Sequence, residues 1–103
     1  MKFKLAFHPL ARIDLVEASL WHELQEPGLG NRLETEAQEV FRKLMRGALL
    51  YGIRFDDIRR ANLPSFQYGV FYFLLDDTAV ILGVLHGARD SETELQQRRQ
   101  TYG

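Results

Sequence analysis

Between residues 58 and 90 the chain carries its densest run of apolar positions, IRRANLPSFQYGVFYFLLDDTAVILGVLHGARD. Residues 67–75 and 79–86 are apolar at odd and even positions alike. Tyr68, Val70, Tyr72 and Leu74 would share one strand face; Phe71, Phe73 and Leu75 would share the other. A strand apolar on both faces belongs inside a sheet covered on both sides. Asp76-Asp77-Thr78 separates the two runs with the composition of a hairpin turn. Residues 58–63 would pair ahead of them, turned by Leu63-Pro64-Ser65-Phe66. The stretch ends in His86-Gly87-Ala88-Arg89-Asp90, so polar residues crowd one strand end.

Upstream, Phe3, Leu5 and Phe7 alternate with Lys2, Lys4 and Ala6, the pattern of a half-buried strand. Pro9 suits the first turn of a helix, where its missing N–H is no loss. Leu10, Ile13, Val16, Leu20 and Leu24 recur at helical spacing, with Arg12, Asp14, Glu17, His22 and Glu23 on the polar side. Residues 9–25 therefore read as an amphipathic helix supplying its apolar side to the sheet, with Trp21 on its flank as a core or partner-facing residue. Glu26-Pro27-Gly28-Leu29-Gly30 breaks it.

A second helix is expected over about residues 31–46, with Leu33, Ala37, Val40, Phe41 and Leu44 on one face. Its acids come early and its bases late, matching the helix dipole, and Gly47 is a natural stop. Two helices joined by a short loop form an antiparallel hairpin. Residues 48–57 connect it to the strands, with Arg54-Phe55 beginning the second strand. Residues 91–100 read as a short polar helix, and Ser91 with Glu94 has capping-box spacing. The order predicts an α+β fold: an N-terminal strand at or near a sheet edge, an antiparallel helical hairpin on one sheet face, a three-stranded antiparallel meander and a short C-terminal helix.

Composition adds bounds. The chain has 103 residues, expected to form one domain over 1–103. A chain of this size buries roughly 65% of its unfolded surface, enough for one modest core. Its formal net charge of -1 makes no global case for nucleic-acid binding, although Arg59-Arg60 and Arg98-Arg99 form local basic pairs. It has no cysteine, hence no disulfide framework and no thiolate metal site, which fits a cytoplasmic location. The N-terminus lacks a signal-peptide apolar region, and neither apolar strand is long enough to span a bilayer.

The residues offer few chemical constellations. His86 and Arg89 stand together at a strand end, where a histidine can move protons and an arginine can hold a phosphate. The plainer alternative is that Arg89 and Asp90 pair with each other or with the C-terminal helix and His86 caps the strand. Arg59 and Arg60 alternate on a strand, so they point to opposite faces. Gly28-Leu29-Gly30 follows a helix and lacks the third glycine of a dinucleotide fingerprint, so it reads as a turn. His8, His22 and His86 are scattered without metal-ligand spacing, so no metal and no cofactor are expected. No G-x-S-x-G nucleophile elbow occurs.

The opening strand with Pro9, Leu15-Val16-Glu17-Ala18, Pro27 to Leu33, Ile58-Arg59-Arg60, Tyr68-Gly69-Val70-Phe71-Tyr72 and Val84 to Asp90 together resemble toxins of the RelE/ParE superfamily. These are the toxic halves of type II toxin–antitoxin modules. The resemblance runs over nearly the whole chain and implies a cognate antitoxin as partner, with a homodimer as a further possibility. RelE-like members cleave mRNA on the ribosome without a metal; ParE-like members inhibit DNA gyrase. The nuclease needs a proton acceptor for the 2′-hydroxyl, cations on the phosphate and an acid for the leaving oxygen. Arg89 matches the family arginine after the last strand. The central-strand arginine of many RelE-like enzymes falls on Gly69, and residues 87–101 contain no tyrosine.

The resemblance therefore favours a non-enzymatic, ParE-like gyrase inhibitor, with Phe71, Phe73 and Arg89 as partner-binding residues. The alternative is a ribosome-dependent mRNA endonuclease using His86, Arg89, Arg60 and Arg59. A third reading is a non-toxic relic that still binds an antitoxin. The sheet face away from the helical hairpin is expected to carry an apolar patch around Phe71 and Phe73 for such a partner.

Overall fold

The computed structural model describes residues 2–103. Strand β1 (Lys4–Phe7) leads into helices α1 (Pro9–Gln25) and α2 (Leu29–Gly47), followed by a 3-10 turn (Ala48–Leu50). Strands β2 (Ile53–Phe55), β3 (Ile58–Asn62), β4 (Tyr68–Leu75) and β5 (Thr78–His86) come next, and helix α3 (Glu92–Gln100) closes the chain. The five strands form one sheet in the order β1-β5-β4-β3-β2. The meander β3-β4-β5 is antiparallel, as its alternation predicts, and β1 joins at the edge beside β5, running parallel to it. The connector contains a strand of its own: β2 hairpins onto β3 through Asp56-Asp57, with Asp56 at φ 51.

The helical hairpin covers one sheet face. Leu33, Ala37, Val40, Phe41 and Leu44 of α2 pack with Val70, Tyr72, Ile81 and Val84. Tyr72 is buried here and donates its hydroxyl to the Ala48 carbonyl at 2.6 Å, while burial pushes its pKa up to about 12. On the opposite face Phe71, Phe73, Val80, Leu82 and Leu85 meet Leu95 of α3. The strand pattern thus reports both covered faces correctly.

Helix α1 departs from expectation. Leu10, Ile13, Val16, Leu20 and Leu24 do not face the sheet; all are exposed, and Ala11 and Ala18 are buried in their place. Helical periodicity locates an apolar stripe but not the side that is buried. Small residues line the inward side, so α1 approaches its neighbours closely. A Cβ at Gly30 of α2 would lie 2.3 Å from the Ser19 carbonyl oxygen.

Two end signals also differ. Helix α2 starts two residues earlier than the periodicity suggests, because Gly28 takes the left-handed conformation at φ 91 and Glu23 caps it from α1. The Glu23 carboxylate accepts from the Gly28 and Gly30 N–H groups at 2.9 and 3.0 Å. At α3 the Ser91–Glu94 capping box does not form: Ser91 makes no side-chain cap bond, and Glu94 turns to Arg89 and Arg98 instead. No helix of the described residues is long and apolar enough to cross a membrane.

Candidate functional site

Strand pairing dictates what meets at the polar end of the meander. Tyr68 opens β4 and His86 closes β5, and the register sets them opposite each other. Their rings meet edge to face at 5.2 Å. His22 of α1 touches the Tyr68 ring at 5.5 Å and Phe66 at 5.1 Å, and Trp21 stacks on His22 at 4.9 Å. A row of aromatic and imidazole rings therefore runs from the outside of α1 to the strand end.

The two imidazoles have fixed tautomers when neutral. The Ala88 N–H donates to His86 Nδ1 at 3.1 Å, so the proton of neutral His86 sits on Nε2. His22 is reversed: its Nδ1 donates to the Ala18 carbonyl at 2.8 Å, leaving Nε2 as the acceptor. Burial raises the Tyr68 phenol above its ordinary pKa, with the Arg89 charge opposing it. Tyr68 therefore stays protonated at neutral pH.

Arg60 reaches this end from β3. It pairs in register with Phe71, and its guanidinium lies over that ring at 5.3 Å. A Cβ at Gly69 would fall 2.4 Å from Arg60 Nε, and one at Gly87 would fall 2.7 Å from its Nη2. Two glycines thus leave the room in which the arginine lies on the α3 face of the sheet, across the sheet from His86 and Tyr68. Its Nε donates to Asn62 at 2.6 Å, and no carboxylate of the described residues lies within ion-pair distance. Desolvation, then the Arg54 charge, lower its pKa. Gly69 is where the resemblance would place a family arginine; Arg60 supplies a cation across that position from the neighbouring strand.

Arg89 is tied down. Its guanidinium pairs with Glu94 of α3 at 2.6 Å, so of the plainer alternatives the pairing with the C-terminal helix holds. It still borders two grooves, of about 250 and 230 Å³, on either side of the strand end. Arg59 does not join the cluster. It turns to the hairpin face and donates to the Tyr51 carbonyl at 2.6 Å. His86 and Arg89 thus line one groove, Arg60 and Arg89 the other on the opposite face, and Arg59 joins neither.

Phe71 and Phe73 lie on the face away from the hairpin, as expected, but the patch is not open. Phe71 is 6% exposed beneath Arg60, and Phe73 is fully buried beneath Tyr102 and the Arg99 guanidinium, 3.8 Å from its ring. The chain's own α3 covers the face. Among the described residues, no cluster of His, Asp and Glu has metal-binding geometry.

Asp14, expected on the polar side of α1, and Arg98, expected only as part of a basic pair, meet beside this site. Strand β1 pairs with β5 only as far as Ile81, leaving the later β5 edge without a strand neighbour. Asp14 from α1 accepts from the Val84 N–H at 3.1 Å, and Arg98 from α3 donates to the Leu82 carbonyl at 2.9 Å. The two side chains close on each other at 2.6 Å with both nearly buried. Gly83 leaves the space: a Cβ there would come within 2.8 Å of Arg98 Nη1.

No protein-family model matches the chain, and no curated protein matches it. Several solved structures do. One is a chain of the structure described as "Chromosomal ParDE TA system from P. aeruginosa", similar over 82% of this chain and 96% of that one, with a TM-score of 0.73 and 13% identity. Strand, helical hairpin, sheet and closing helix thus share the fold of that chain.

Proposed function

We propose that the chain is the toxin of a type II toxin–antitoxin module and acts by binding, as a ParE-like inhibitor of DNA gyrase held in check by a cognate antitoxin. Likeness to a chain of a ParDE system supports the module. The state of the strand end carries the choice of mechanism. A metal-free ribonuclease concentrates free cations and a proton acceptor around one phosphate. Here Arg59 is bonded to the Leu49 and Tyr51 carbonyls, Arg89 is held by Glu94, and Arg60 lies on the sheet face opposite His86. None of the three lysines, Lys2, Lys4 and Lys43, lies in the meander.

One observation favours the endonuclease reading as the runner-up: His86 and Arg89 line one groove at the strand end, a histidine and a cation together. Expression without antitoxin separates the two. The proposal expects DNA-damage signalling before any loss of mRNA integrity. Early mRNA cleavage that His86→Ala abolishes would favour the runner-up.

A further inference from the structure

A charged surface lies at the opposite end of the sheet from the strand-end grooves. Strand β1 runs parallel to β5 and starts by pairing Lys4 with Thr78, so Lys2 stands at the end away from His86. The last turns of α2 meet it there: the Phe3 N–H donates to the Met45 carbonyl at 2.7 Å. Lys2, Phe3, Arg42, Met45 and Arg46 line a groove of about 320 Å³, with Lys43 next to Arg42 in the chain. All four cations, Lys2, Arg42, Lys43 and Arg46, are exposed.

Bases in the last turn of a helix offset its dipole and bond its free carbonyls. That role does not account for this set. Lys2 comes from outside the helix, and β1 already takes the Met45 carbonyl. Lys4 pairs with Asp77 and Arg42 with Glu39, whereas Lys2, Lys43 and Arg46 have no ion-pair partner among the described residues. The exposed Glu39 carboxyl is held below its ordinary pKa, first by the Arg42 hydrogen bond and then by the charges of Arg42, Lys43 and Arg46. The field at this end is thus positive, although the whole chain carries a net charge of -1.

Arg42, Lys43 and Arg46 fall within about 6 Å of helix axis. Duplex DNA carries a phosphate charge about every 1.7 Å of its axis, hence about three or four over the same length. We propose that this face, Lys2 with Arg42, Lys43 and Arg46, binds the phosphate backbone of duplex DNA. The groove floor, Phe3 and Met45, is apolar, so the set holds phosphates and reads no base edges. The inference rests on the gyrase reading for its purpose: gyrase holds DNA, and an inhibitor seated on it with this face towards the duplex touches enzyme and substrate together.

The test titrates the full chain into a short fluorescent duplex and follows anisotropy between about 50 and 200 mM salt. The logarithm of the affinity should fall against the logarithm of salt with a slope of about −3, as for three or four neutralised phosphates. Lys43→Ala and Arg46→Ala should each reduce that slope by about one, and the double variant should bind about tenfold more weakly or worse at the lowest salt. Both side chains are exposed and unpaired, so thermal unfolding of the variants should match the parent. Arg32→Ala, which breaks a pair with Glu36 in the first turn of the same helix, should leave the slope unchanged. A double variant with the parent's slope overturns the face, and so does a parent that binds no duplex at the lowest salt. Supercoiling inhibition by the parent, measured in parallel, separates the two readings. Inhibition alongside either overturning result leaves the gyrase reading standing. Duplex binding that the double variant loses, without inhibition, upholds the face and defeats the gyrase reading.

Discussion

Arg98 illustrates how one side chain can hold three layers together. It comes from α3, crosses the sheet edge and meets Asp14 of α1 at 2.6 Å, with 6% and 8% of the two side chains exposed. Four of its contacts use the Nη atoms, and its buried Nε has no partner. Removing one member of a buried pair strands the other charge, typically at about 3–5 kcal/mol. Arg98→Ala should therefore lower unfolding stability by about that amount in urea titrations. An Arg99→Ala control, one residue along, breaks a more exposed pair with Asp57 and a stacking contact on Phe73, and should cost less.

His8 is a second residue whose environment makes a testable demand. It is nearly buried, and its Nδ1 accepts from the Leu10 N–H at the start of α1. Burial first, and the Arg98 charge second, lower its pKa below 6.5, with Asp14 opposing. A histidine that is harder to protonate when folded leaves the unfolded state binding more protons below pH 6.5. Its contribution is therefore intact above that value and is lost as pH falls towards the lowered folded pKa. Unfolding titrations at pH 7.5 and 5.5 should show a drop that is smaller in His8→Asn, which keeps a capping side chain.

At the scale of elements, the central strands were legible and α1 was not. Apolar residues at both parities in β4 can only mean two covered faces, and the two cores found there confirm it. In α1 the largest apolar residues point outward, because alanines are what a closely packed helix buries. Pattern reading ranks side chains by size and hydropathy, so it chose the wrong side. The candidate site was half legible. His86 and Arg89 stand in one short segment, while Arg60, Tyr68 and His22 arrive there through strand register and helix docking, which no local spacing encodes. Asp14 with Arg98 left no trace, since 84 positions separate them.

The helical hairpin also depends on a contact no capping motif announces. Glu23 bridges α1 to the N–H groups of Gly28 and Gly30, fixing the turn and starting α2. Glu23→Ala should cost about 1 kcal/mol, the scale of a lost helix cap, and hydrogen exchange should show the first turn of α2 opening more readily.

For the whole molecule, the issue is whether this fold binds a target or cuts one. Its helix-covered sheet matches a chain of a ParDE system in architecture at 13% identity, so the fold outlasts most side-chain identities. Function is then to be sought in the side chains the fold presents and not in the fold itself. The purified chain alone, assayed in parallel on gyrase supercoiling and on ribosome-bound mRNA, tests the proposed function most directly. The account predicts inhibited supercoiling with no ribosome present and uncut mRNA. Site-specific mRNA cleavage that disappears in His86→Ala or Arg89→Ala, with gyrase unaffected, would contradict it.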